Sequence, residues 1–325
     1  MKKKNRTLQE QLRSLRNFTN HGDRDGAHGG WRRRRGDVEP GMELKWRRCQ
    51  NMSKRYLYKH PDWIECKYEI ACLFVFFGIG EKEIIKKITD LQKTEKGLTT
   101  FTVDTLDYHS ILEAVKGCCA LFCCLDSPFQ YDEKMVDMEV RGAINVVEAC
   151  AQTDSIEKIV FTSSLTAAVW RQNISSDHKD IDERSWSDQD FCRKMKLWYG
   201  LAKTLSEKAA WALAMDRSLD MVSINPGLVI GPAVAQQNSQ VTMSYLQGGE
   251  QMYVNGVLAF VDVNFLADVH IRAFEDRSTI GRYFCFNQIV NSDKEALKLA
   301  QTLTPLISYH PGISYVRLRM YLCIC

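Results

Sequence analysis

Short apolar runs recur along the chain, each bounded by polar or turn-forming residues and separated by longer segments with helical spacing. Ala120 to Leu125, Lys158 to Phe161, Asp220 to Ile224, Leu258 to Val263 and Arg282 to Phe286 read as strands, and Lys158 to Phe161 in particular is rich in β-branched and aromatic side chains. Runs of that kind fit strands covered on both faces, as in parallel sheets. Between them, Glu133 to Ala151 carries Val136, Val140, Ile144, Val147 and Ala151 at helical spacing, and Tyr108 to Lys116 and Ser292 to Leu303 read as further helices. A helix also follows the 258–263 strand through Ala273 and Phe274. Lys196 through Met215 is a run of strong helix formers with an Ala-rich face, and Ser187 or Asp188 can cap its start. Nearer the front, Tyr68 to Phe77 is strand-like, Glu81 to Lys96 helical, and Thr99 to Asp104 a strand closing on an aspartate. Strands alternating with helices predict an α/β fold built on a Rossmann-type, doubly wound parallel sheet.

Composition divides the chain. Of its 43 Lys/Arg and 40 Asp/Glu, residues 1–60 hold 17 and 6, leaving 26 and 34 for the rest. The front is basic, with Lys2-Lys3-Lys4 and Arg32 to Arg35, and has little hydrophobic periodicity, so residues 1–65 are expected to be a disordered segment. Such runs can bind nucleic acid but are more often solvated tails. Residues 66–232 are assigned to the Rossmann-type domain, the polar 233–307 to a smaller substrate-side lobe interleaved with the last sheet elements, and 308–325 are left unassigned. Twelve cysteines in a long chain without a secretory signal pattern are read as reduced thiols. The longest apolar stretch, Ile70 to Ile79, is too short to span a bilayer. A cytoplasmic protein without a membrane partner is expected, of open oligomeric state.

The candidate chemistry lies between Val160 and Lys203. Ser163 and Ser164 follow a strand at its carboxyl end, where open α/β sheets place ligands. Tyr199 and Lys203 are i and i+4, which on a helix puts their Cβ atoms about 6 Å apart. An ammonium there is expected to lower the phenol's pKa and make it a usable acid or base. Taken alone, the pair reads as an exposed ion-lined helix face; the serine before it and the Asn225-Pro226-Gly227-Leu228-Val229 turn after it shift the balance toward chemistry. Asp104 reads either as a ligand residue or as a helix cap, since Asp107 also stands at that helix start. His270 and the Asp262/Asp268 pair give no converging metal-ligand set.

Phe161-Thr162-Ser163-Ser164, the Tyr-x-x-x-Lys helix, Asn225 to Pro232 and Phe260-Val261-Asp262-Val263 together resemble the extended short-chain dehydrogenase/reductases. Trp186-Ser187-Asp188, Phe191-Cys192 and Lys203 to Trp211 look like the plant cinnamoyl-CoA reductase-like branch, and the resemblance covers about Thr99 to Ile307. It implies that Tyr199 protonates a substrate carbonyl oxygen, that Lys203 tunes Tyr199 and holds the nicotinamide ribose, and that Ser164, with Ser163 second, orients the carbonyl. It further implies that Asp104 meets the adenine and that Pro226, Gly227, Leu228 and Val229 line the nicotinamide. NADP(H) would be the cofactor, with NAD the other candidate, and the substrate a hydroxycinnamoyl-CoA-like thioester or related carbonyl of phenylpropanoid or lignin metabolism.

Two departures stand out. Established cinnamoyl-CoA reductases resemble one another in an Asn-Trp-Tyr-Cys-Tyr-Gly-Lys signature, where this chain has Leu197-Trp198-Tyr199-Gly200-Leu201-Ala202-Lys203. The family's opening strand and Gly-x-x-Gly-x-x-Gly turn have no counterpart either, Gly78-Ile79-Gly80 being a lone pair, so the first strand-helix unit is read as degenerate. An impaired remnant of the family that has lost dinucleotide binding is the rival reading.

Overall fold

The computed structural model describes residues 103–127, 130–172, 181–231 and 239–307. The basic segment, the 68–77 strand, Gly78 and Gly80, the 81–96 helix, most of the 99–104 strand and the 308–325 tail lie outside the described residues.

The apolar runs form the sheet. β1 (Ala120–Cys124), β2 (Lys158–Thr162), β3 (Met221–Pro226) and β6 (Gly281–Cys285) lie side by side in that order, and every pairing is parallel. Their side chains feed two cores in alternation. Leu121, Cys123, Ile159, Phe161 and Met221 point to one, while Phe122, Val160, Val222 and Ile224 point to the other. Because both faces are covered, these strands cannot show the alternating pattern of a half-exposed sheet.

The first core is closed by α1 (Tyr108–Ala114), α2 (Glu133–Ala151) and α5 (Trp198–Asp216). Asp132 caps α2 by accepting from the Met135 N–H at 2.9 Å, and Val140, Ala143 and Val147 lie on its buried face. α8 (Val263–Glu275) covers the opposite face through Leu266 and Ala273, its start capped by Asp262.

A second, three-stranded sheet holds β4 (Leu228–Ile230), β5 (Ala259–Asp262) and β7 (Gln288–Ile289), with β7 antiparallel to β5. Around it lie α6 (Ser239–Tyr245), α7 (Gly249–Val254) and α9 (Asp293–Ile307). Among the described residues no cysteine is in a disulfide.

The helix expected from Lys196 starts later and is preceded by a separate short one, α4 (Gln189–Lys194), which is the helix that Asp188 caps. Another short helix, α3 (Thr166–Val169), stands directly after the paired serines.

Candidate active site

α4 stops because Lys196 turns left-handed, at φ 55°. The Lys196 N–H reaches the Arg193 carbonyl at 3.1 Å and the Leu197 N–H the Cys192 carbonyl at 2.8 Å, closing a Schellman turn. α5 then begins at Trp198, so Tyr199 sits in its first turn and Lys203 one turn on. Gly200 lets Trp170 lie against that turn, because a Cβ there would stand 2.7 Å from the Trp170 ring. Tyr199 is 5% exposed, with Tyr131 edge-on at 5.0 Å between ring centroids and Tyr245 at 6.3 Å.

The two serines after β2 diverge. Ser164 accepts hydrogen bonds from the Thr166 N–H at 3.2 Å and the Thr166 hydroxyl at 2.9 Å, and is among the groups that pull the Tyr199 pKa down. Ser163 instead donates to Glu207 at 2.7 Å. The next residue fixes the turn that follows β3, the Leu165 N–H reaching the Pro226 carbonyl at 2.8 Å. Gly227 is needed there, since a Cβ would come within 2.7 Å of the Ala259 carbonyl oxygen. Asn225 donates to the Ser164 carbonyl at 3.1 Å and to Glu207 at 2.8 Å, while its Oδ1 is buried with no hydrogen-bond partner among the described residues.

Ser164, Tyr199, Lys203 and the turn beginning at Pro226 are thus adjoining, and Leu228 is buried beneath them while Val229 is half-buried. Asp104 is not part of this group. It is exposed, its carboxylate accepts from the Leu106 N–H at 2.8 Å, and its backbone contacts are with Asp107 and Ser110. Asp107 is the residue that caps α1, through the His109 N–H at 3.0 Å.

Lys203 is 1% exposed; its ammonium donates to the Leu125 carbonyl and forms ion pairs with Asp126 Oδ1 at 2.9 Å and Glu139 Oε1 at 3.2 Å. Burial works against the charge, but Asp126 and Glu139 outweigh it and hold the lysine's pKa well above its ordinary value. The Nζ lies 5.3 Å from the centroid of the Tyr199 ring.

The expected lowering of the tyrosine's pKa does not occur. Burial and, after it, Asp126 push the Tyr199 phenol up; Lys203 and the Ser164 hydrogen bond pull the other way and lose. The i, i+4 spacing brings only the ammonium to the phenol; the carboxylates that neutralise it come from β1's end and from α2. Glu139 left one trace in the sequence: it is a charged residue between Val136 and Val140, on the apolar side of an amphipathic helix.

A second buried carboxylate also went unread. Glu207, fully buried on α5, accepts from Ser163, from Ser223 at 2.6 Å, from Asn225, and from Arg282 Nε at 2.7 Å and Nη2 at 3.2 Å. Arg282 stacks on Trp186, 3.7 Å from the ring centroid. With every oxygen lone pair so engaged, this group holds structure together rather than facing a ligand.

Residues 85–283 match the model of the NAD dependent epimerase/dehydratase family. The chain is 36% identical over 207 residues to cinnamoyl-CoA reductase 1 of Petunia hybrida, covering 63% of this chain and 62% of that one. It is 33% identical to a cinnamoyl-CoA reductase of Medicago truncatula, over 68% of this chain and 70% of the relative. The chain therefore spans about three fifths of the length of the Petunia relative. Among solved structures it is similar to vestitone reductase of alfalfa (Medicago sativa), at TM-score 0.52 and 23% identity over 76% of this chain and 78% of that one. It is similar also to yeast methylglyoxal/isovaleraldehyde reductase complexed with NADPH, at TM-score 0.53 and 17% identity over 77% and 86%. These two likenesses concern the fold.

Proposed function

The chain belongs to the NAD dependent epimerase/dehydratase family, and on that premise we propose that it is an NADP(H)-dependent reductase of the cinnamoyl-CoA reductase-like type. Its substrate would be a small carbonyl compound or CoA thioester of phenylpropanoid character. The observation that carries this reading is the burial of Tyr199 with Lys203 one turn on along α5 and Ser164 among the groups that act on its phenol, beside the carboxyl end of β2.

NADPH, when bound, supplies the hydride. The donor set fits its nicotinamide end: two hydroxyls, the backbone of Pro226 to Val229, and the unpartnered Asn225 Oδ1, an acceptor suited to an amide N–H. Ser164 orients the carbonyl oxygen by donating a hydrogen bond to it. Tyr199, kept neutral by burial, retains its proton until negative charge develops on that oxygen and then gives it up. Lys203 holds its charge beneath the ring, and residues 233–307 supply the substrate side.

One observation favours the rival reading of an impaired remnant. The Lys203 ammonium already donates to one carbonyl and pairs with two carboxylates, so a ribose hydroxyl would have to compete with them. Titrating the full chain with NADPH, with NADH as comparison, and following tryptophan fluorescence decides between them. Saturable quenching supports the reductase; a folded protein that binds neither nucleotide supports the remnant. With turnover in hand, Tyr199→Phe should lower kcat by roughly 10²–10⁴-fold with unchanged circular dichroism. Full activity in that variant refutes the mechanism.

A further inference from the structure

Glu139 is 2% exposed in the middle of α2, where a carboxylate is costly unless paired. Three side chains hold it. Oε1 meets Lys203 Nζ at 3.2 Å and accepts from the Ser206 hydroxyl at 3.2 Å; Oε2 accepts from the Tyr131 hydroxyl at 2.5 Å. Tyr131 is itself fixed, its oxygen accepting from the Ser127 N–H at 3.1 Å and its ring packing edge-on against Tyr199. The carboxylate is therefore tied to the segment before α2, to α5 and to the ammonium, and cannot rotate without breaking one of these contacts.

We propose that Glu139 is a positioning residue for Lys203: from α2 it holds the ammonium under the Tyr199 ring, toward Asp126 and the end of β1, and so fixes the charge that the Tyr199 hydroxyl feels. Without Glu139, Lys203 keeps the Leu125 carbonyl and the Asp126 carboxylate but loses its tether to α2, and is freer to approach the phenolic oxygen. The titratable groups facing this centre are Asp126 and Cys123 from β1 and the loop after it, Glu139 and Tyr131 from α2 and its approach, and Tyr245 from α6. Of these, Asp126 and Glu139 act on Tyr199 in the same direction and oppose Lys203. Removing Glu139 thus strengthens the lysine's influence twice over, by deleting a like charge and by releasing the ammonium.

The catalytic consequence rests on the reductase reading, but the positioning does not, and the test separates them. The full chain, without nucleotide, is labelled with tyrosine carrying ¹³C at Cζ, and the Tyr199 resonance is assigned by its loss in Tyr199→Phe. In the wild-type protein that resonance should titrate at higher pH than an ordinary phenol. In Glu139→Gln it should titrate at lower pH than in the wild type. Glu139→Asp keeps the charge but shortens the reach, and its midpoint should fall between the two. If the glutamine variant does not fold, the aspartate variant carries the comparison. Folded variants whose Tyr199 behaves as in the wild type overturn the proposal. Where turnover is measurable, the alkaline limb of kcat/KM for reduction should move down in the same order. Absence of turnover would count against the reductase and leave the titration result standing.

Discussion

Replacing Arg282 by methionine removes a guanidinium while keeping most of the side chain's apolar length. In the native protein that guanidinium makes two bonds to Glu207, which is fully buried, and donates through Nη1 to the carbonyls of Glu183 at 2.8 Å and Ser185 at 2.7 Å. Ser163, Ser223 and Asn225 still donate to Glu207 in the variant, but they are neutral, and the carboxylate loses the guanidinium paired with it. Breaking a buried pair from one side costs about 3–5 kcal/mol. The two carbonyl contacts place this case in the upper part of that range, since each hydrogen bond from a charged donor contributes about 1.5–3 kcal/mol. With a urea m-value of roughly 2 kcal/mol per molar, the unfolding midpoint should fall by about 2 M. Trp211, whose indole N–H reaches Ser223 at 3.2 Å, makes tryptophan fluorescence a local reporter, to be compared with far-ultraviolet circular dichroism. The double variant Glu207→Gln/Arg282→Met should be more stable than Arg282→Met alone, because the orphaned charge is gone. A loss below about 1 kcal/mol in the single variant, or strict additivity in the double, would refute the account of Glu207 as a charge held by Arg282.

Two further outcomes follow from the same geometry. Ser163→Ala loses a hydrogen bond to a carboxylate and should cost about 1.5–3 kcal/mol in urea unfolding while leaving turnover unchanged, whereas Ser164→Ala should lower kcat by roughly 10²–10³-fold. His270 is buried, with Nε2 2.7 Å from the Thr162 hydroxyl and Nδ1 2.8 Å from the Leu266 carbonyl, and burial lowers its pKa below 6.5. Its folded pKa is depressed, so the stability it contributes is whole above pH 6.5 and is lost as pH falls through the folded value. Thermal melts between about pH 5 and pH 8 should show that decline, and His270→Gln should flatten it.

The parallel sheet was legible because its strands are buried on both faces and their apolar runs are short and dense. α2 was legible to the residue, since Asp132 caps it and its buried face keeps helical spacing. α5 was placed two residues early because nothing in the residue type of Lys196 announces a left-handed turn; tertiary packing around Trp170 and Gln247 holds it there. The lobe helices α6 and α7 are short, polar and flanked by Gly248-Gly249, which reads as loop. In the site, Ser164, Tyr199 and Lys203 were legible from spacing on single elements. The acidity of Tyr199 was not, because it depends on burial and on Asp126 and Glu139, which reach Lys203 from distant parts of the chain.

The Glu207 group also bears on how the chain acquires its fold. Its partners are separated from it by 16, 18, 44 and 75 residues, and Arg282, the farthest, is the only cation among them. A chain organised as far as β3 would enclose the carboxylate with hydroxyls and an amide but without the guanidinium that pairs with it. Docking of β6 is therefore a condition for burying α5 rather than an addition to a finished sheet. Far strand and central helix are bound into one cooperative step, which fluorescence and dichroism should register as coincident transitions in the urea curves.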